Sequence, residues 1–147
     1  MVPTNPLYGD KELLFQINDS SAEFLVILDL LFPNIEKILP DTGLKKVIVG
    51  RIQDFLPILK KLLYPFVAKK DKKQVIVPEK GTVFLFHKLM KKKFPVFKEP
   101  DMSCDDLAQL QYTGGATGVA KGAMLTHKNI AGKKLRRVLR EETENNA

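Results

Sequence analysis

Apolar runs of strand length, without polar alternation, are what most constrain the fold of this chain. Ala22–Leu28 ends in Phe-Leu-Val-Ile-Leu, and Lys46–Val49 supplies Val-Ile-Val. A strand with one wet face alternates apolar and polar residues, whereas an unbroken run suits a strand covered on both faces, as in a parallel sheet. Helical periods flank these runs. Asp10 is placed to cap a helix with Leu13, Leu14 and Ile17 on one face, ended by Asn18-Asp-Ser-Ser21. Pro33 opens a second helix carrying Ile35, Ile38 and Leu39, and Pro40-Asp-Thr-Gly43 stops it. Helix, strand, helix, strand predicts an α/β fold of mostly parallel strands with flanking helices.

Farther on, Phe55, Leu59, Leu62 and Phe66 recur at helical spacing, with Pro57 and Pro65 limiting the helix to roughly two turns. Lys60, Lys61, Lys69 and Lys70 flank it, giving either a solvated face or a basic amphipathic segment resting on acidic lipid. Lys69-Lys-Asp-Lys-Lys73 reads as a loop, and Lys91-Lys-Lys93 closes a helix expected from about Thr82. Neither lysine run has the interleaved aromatics and glycines of a single-strand or RNA reader. Leu107–Tyr112 is a strand preceded by Asp105-Asp106, Ala123–Leu125 its return strand, and a basic helix is expected from Gly132 onward.

At 147 residues, 44% hydrophobic and 28% charged, the chain has the length and composition of one globular domain. Its net charge of +7 favours anionic partners such as phosphates, nucleic acid or acidic lipid. Cys104 is the single cysteine, which excludes an internal disulfide framework, and with only His87 and His127 beside it no zinc-ligand spacing exists. A reduced, intracellular compartment is the expectation. The first residues lack the pattern of a secretory signal, and Phe24–Phe32 is too short an apolar stretch to span a bilayer. The expectation is a soluble or peripheral protein.

Thr113-Gly-Gly-Ala-Thr-Gly-Val-Ala-Lys-Gly122 follows the Leu107–Tyr112 strand and holds four glycines, two hydroxyls and one lysine. Glycines let backbone N–H groups turn toward a ligand, hydroxyls donate to oxyanions, and the lysine adds a full positive charge. In chemical outline this is a phosphate cradle. It is not a Walker A loop, since Lys121 precedes Gly122 rather than following a glycine before Ser or Thr, and no Gly-x-Gly-x-x-Gly is present. A glycine-rich hairpin joining two strands with no ligand is the other reading of the same residues.

Over Tyr112–Ile130 the chain resembles the adenylate-forming (AMP-binding) superfamily, most closely its bacterial long-chain fatty-acid–CoA ligases. Weaker similarity runs through Thr4–Tyr8, Gln16–Ser20 and Lys45–Val49. The resemblance implies that Thr113, Gly114, Gly115, Thr117, Gly118, Lys121 and Gly122 hold the pyrophosphate end of ATP. Gly132-Lys-Lys-Leu-Arg-Arg-Val-Leu-Arg140 resembles the closing motif of the family's small C-terminal lid domain, which makes Lys133 the candidate adenylation lysine. In the family these motifs lie several hundred residues apart, so the resemblance implies a truncated, internally deleted ligase joined between Thr126 and Gly132. Residues 1–130 would be a partial adenylation domain and residues 131–147 a remnant of the lid motif.

The implied reaction joins a long-chain fatty carboxylate to AMP with release of pyrophosphate, then passes the acyl group to coenzyme A, using ATP and Mg²⁺. This chain has no match to the family's Tyr-Gly-x-Thr-Glu segment, and Ala116 stands where the family usually carries Ser or Thr. It is therefore expected to be catalytically incompetent alone, marginally stable, and prone to association or to assembly with a separately encoded remainder. A cytoplasmic location, with peripheral contact at the inner membrane face, is expected. His127, Asn129 and Tyr112 read as packing and turn residues. The alternative is a small basic module sitting on acidic membrane or nucleic acid, although no specific nucleic acid is expected.

Overall fold

The computed structural model describes residues 1–57, 75–114 and 120–133. The chain forms two compact units, one of Asn5–Val96 and one of Met1–Thr4 with Phe97–Ala147.

In the Asn5–Val96 unit, β1 (Phe24–Leu28), β2 (Lys46–Gly50) and β3 (Val83–Leu85) form a three-stranded parallel sheet in that order. Its register lines up Leu25, Val47 and Val83 in one row and Ile27, Val49 and Leu85 in the next. These rows face the core, joined by Leu13 and Ile17 of α1 (Asp10–Asp19) and by Phe32, Ile35 and Ile38 of α2 (Phe32–Ile38). Val47 and Val49 are fully buried and Phe32 and Ile35 are 1% exposed, so the core sits between the middle strand and α2. Both helices present their apolar stripe to the same side of the sheet.

The other side departs from the expectation of burial on both faces. Phe24, Val26 and Leu28 point outward at 56%, 70% and 44% exposure. The unbroken apolar run marks a strand built for two covers, of which α1 and α2 supply one. A second correction concerns Thr82–Lys93, expected as a helix. Val83–Leu85 is the third strand, and only Phe86–Met90 is helical (α3). β2 offers a free edge, and a Val-Phe-Leu run gains more from pairing with it than from one further helical turn. The expected helix over Phe55–Val67 and the loop at Lys69–Lys73 lie outside the described residues, save that Ile52–Phe55 forms a 3₁₀ turn.

Helix ends differ from expectation in detail. Gly9, not Asp10, is the N-cap of α1, and Asp10 and Glu12 stand in its first turn, where acidic charge suits the helix dipole. At the other end Ala22 N–H bonds the Ile17 carbonyl and Ser21 N–H bonds the Asn18 carbonyl, both at 3.1 Å. That paired closure needs a left-handed residue, and Ser21 supplies it at φ 51° although glycine is the usual occupant.

Side chains at the carboxyl ends of the strands tie them together. The buried carboxylate of Asp29, just after β1, accepts from Leu30 N–H at 3.0 Å and from Ile52 N–H, beyond β2, at 3.4 Å. Arg51 grips Asp54 through two nitrogens at 2.9 and 3.1 Å, and its Nη2 lies 3.3 Å from Nε2 of His87, at the start of α3. Lys88 pairs with Glu79 before β3 and draws the Glu79 carboxyl below its ordinary pKa.

The second unit contains an antiparallel hairpin of β4 (Leu107–Thr113) and β5 (Lys121–Thr126). Met1 lies along the outer edge of β4, its amino group bonding the Ala108 carbonyl at 2.8 Å and its carbonyl accepting from Leu110 N–H at 2.9 Å. Residues 127–133 continue from β5 as a helix, which begins earlier than the basic helix expected from Gly132.

Two substitutions check this frame by urea denaturation. Ile35→Ala, at a site that cannot collapse between α2 and the sheet, is expected to cost about 2–5 kcal/mol. Ser21→Gly relieves the left-handed strain and is expected to stabilise by about 1 kcal/mol, after the extra unfolded-state entropy of glycine is subtracted.

Candidate functional site

The hairpin register places the loop's two chemical ends opposite each other. Thr113 pairs with Lys121 and Tyr112 with Gly122, so the Thr113 hydroxyl and the Lys121 ammonium share one face at the mouth of the turn. Both side chains are exposed. A hydroxyl donor and a flexible cation on one face suit the oxygens of a phosphate chain.

The glycines at the mouth do different things. A Cβ at Gly122 would lie 3.1 Å from the Tyr112 ring, so the missing side chain lets that ring lie flat across β5. Tyr112 is 6% exposed and anchors the end of β4 beneath the turn. Gly114 has open space around its α-carbon, leaving backbone on that side accessible. Gly115, Thr117 and Gly118 lie outside the described residues, as does Ala116.

The far end of β5 carries a cap that sequence reading sees only as turn chemistry. The Asn129 carboxamide oxygen accepts from the Thr126 N–H and hydroxyl, each at 3.0 Å, while Asn129 N–H donates to the Thr126 hydroxyl at 3.3 Å. This is a reciprocal capping box with Asn in place of Glu, and the Thr-x-x-Asn spacing was the signal for it. Lys128 N–H bonds the Cys104 carbonyl at 2.8 Å and His127 N–H the Asp106 carbonyl at 3.2 Å. The first donors of the helix are thereby spent on the turn that precedes β4; Asn129 acts as the cap, and the His127 side chain is exposed.

Lys133 is exposed on this helix, beside a hollow lined by Lys128, Asn129, Gly132 and itself. Thr126 lies five residue steps along β5 from the loop end at Lys121, about 17 Å of strand. Among the described residues no hydrogen bond or ion pair joins Lys133 to Thr113, Gly114 or Lys121. The structure brings Thr113, Gly114, Lys121 and Gly122 together and leaves Lys133 on a separate element.

The donor set at the mouth fits a triphosphate, with a hydroxyl, an ammonium and unobstructed backbone. It offers no carboxylate for Mg²⁺, and the described residues contain no cluster of three or more His, Cys, Asp or Glu placed to hold a metal. Any Mg²⁺ here would arrive on the phosphates of the nucleotide.

Comparison with known proteins supplies the remaining context. The AMP-binding enzyme family profile matches residues 1–144. The long-chain-fatty-acid–CoA ligase of Haemophilus influenzae is 42% identical over 130 residues, covering 88% of this chain and 23% of that protein. That of Bacillus subtilis is 37% identical over 132 residues, with the same two shares. The crystal structure of a long-chain-fatty-acid–CoA ligase from Archaeoglobus fulgidus matches with a TM-score of 0.61 at 30% identity, over 91% of this chain and 21% of that one. The chain thus spans about a quarter of the length of the curated relatives it matches. With the profile matching nearly the whole chain, the chain belongs to the AMP-binding enzyme family.

Proposed function

We propose that this chain is the ATP-gripping portion of a long-chain fatty-acid–CoA ligase, able to hold a magnesium–nucleotide but not to complete the reaction alone. The observation that carries the reading is the hairpin mouth, where Thr113 and Lys121 pair across the strands and share a face between Gly114 and Gly122. In this role Lys121 and Thr113 meet phosphate oxygens, and Gly114, Gly115, Thr117, Gly118 and Gly122 let the backbone approach them.

The full family reaction needs a fatty carboxylate and coenzyme A as further substrates, with attack of the carboxylate oxygen on the α-phosphorus, loss of pyrophosphate, and transfer of the acyl group to a thiol. Stabilising that phosphorus requires donors preorganised around one substrate. The mouth of the hairpin offers them on one side only. Lys133, the adenylation lysine by resemblance, belongs to the proposed lid remnant at residues 131–147, whereas residues 1–130 form the partial adenylation domain. The complete site would be assembled with a remainder of the enzyme, in the cytoplasm.

Calorimetry tests this directly. Mg-ATP is expected to bind more tightly than Mg-AMP, and Lys121→Ala to weaken ATP by about tenfold or more through loss of one charge-assisted contact. Lys133→Ala should leave ATP affinity unchanged. Equal affinity for ATP and AMP, or indifference to Lys121→Ala, would overturn nucleotide gripping. Radiolabel exchange with oleate and Mg-ATP is expected to show no acyl-adenylate, and its appearance would overturn incompetence.

A further inference from the structure

β4 alternates apolar and polar residues as it approaches the glycine loop. Ala108, Leu110 and Tyr112 take one face, and Gln109, Gln111 and Thr113 take the other, the face on which Thr113 meets Lys121. Across the ladder Gln111 pairs with Ala123, whose single methyl leaves the carboxamide uncovered, and Lys121 stands two residues from Ala123 on the same face.

The two glutamines are half-buried and hydrogen-bonded in series. Gln109 Nε2 donates to Gln111 Oε1 at 2.7 Å, and Gln111 Nε2 donates to the Tyr112 carbonyl at 3.4 Å. The second contact decides which way the Gln111 amide is turned, because the reversed amide would set its oxygen against that carbonyl. It is long and takes one of the two amide hydrogens. The other has no partner among the described residues. Gln111 thus presents an amide donor, held from behind by Gln109, two residues or about 7 Å of strand before Thr113.

We propose that Gln111 is a further nucleotide-binding residue, its carboxamide N–H donating to a phosphate oxygen of the nucleotide at the hairpin mouth, with Gln109 as the positioning residue that turns it there. This role rests on the mouth gripping a magnesium–nucleotide, and it extends the grip from the turn onto the strand face. A neutral amide suits the place, since it donates to a phosphate oxygen and carries no negative charge to repel one. A polar stripe kept only for hydration would serve as well with a carboxylate at the same position. A phosphate neighbour would not tolerate one.

Calorimetry and side-chain amide NMR on the full chain separate these cases. Gln111→Leu is expected to weaken Mg-ATP by about tenfold, through loss of one hydrogen bond to a charged group, and Gln111→Glu by more. Gln109→Leu leaves the donor in place but unheld and should weaken Mg-ATP by about threefold. In the unsubstituted chain the Gln111 NH₂ signals, identified by their absence from Gln111→Leu, should shift with Mg-ATP and with magnesium tripolyphosphate, saturating with the calorimetric Kd. Unchanged affinity in Gln111→Glu, with Lys121→Ala still weakening Mg-ATP, overturns the role of Gln111 and leaves nucleotide gripping intact. Indifference to both substitutions overturns the two together. A shift with Mg-ATP but none with tripolyphosphate takes the contact off the phosphates and overturns it as well.

Discussion

Val47 and Val49, fully buried on β2, depend on cover from above and on strands on either side. A middle strand of a parallel sheet cannot expose its backbone edges, and its inward side chains cannot remain wet without giving up the transfer energy that fixes them. β1 and β3 supply the edges, and α1 and α2 supply the lid over the inward rows. Everything else in the Asn5–Val96 unit follows from keeping those two valines dry. The left-handed Ser21 turns the chain from α1 into β1, and Asp29 bridges the backbone beyond β1 to that beyond β2.

The parts legible in the sequence are those where one local rule decides. Ala22–Leu28 and Lys46–Val49 read as strands because unbroken Val, Ile and Leu runs have no stable amphipathic alternative. Pro33 and the Pro40–Gly43 turn bracket α2 for the same local reason. Thr82–Lys93 reads as helix because its period is compatible with one, and only the vacant edge of β2 makes Val83–Leu85 a strand. Which face of β1 is covered is not legible at all, since an unbroken run carries no alternation to distinguish its sides. The Arg51–Asp54–His87 contacts join residues 36 positions apart and leave no spacing to recognise.

For the site, composition named the chemistry and the hairpin register supplied the geometry. Gly-Gly-Ala-Thr-Gly identifies a cradle only as a class, since a ligand-free turn uses the same residues. The pairing of Thr113 with Lys121 adds that hydroxyl and ammonium share a face, and the Tyr112 ring against Gly122 gives that glycine a packing reason as well. Lys133 stands on a helix that a Thr126–Asn129 cap starts at the end of β5 away from Lys121.

Exposed apolar surface occurs on this chain in two chemically different forms, and the difference decides what each can meet. On β1 the exposed residues alternate along one flat strand face, with Val26 aligned beside Ile48 and Ile48 beside Phe84. Such a surface matches another packed layer, whose side chains would interdigitate with it at interior density. In Met90–Val96 the apolar residues stand beside three consecutive lysines, where a packed protein layer would have to desolvate ammonium groups. The two surfaces therefore differ in what it would take to cover them even though both contain phenylalanine and valine.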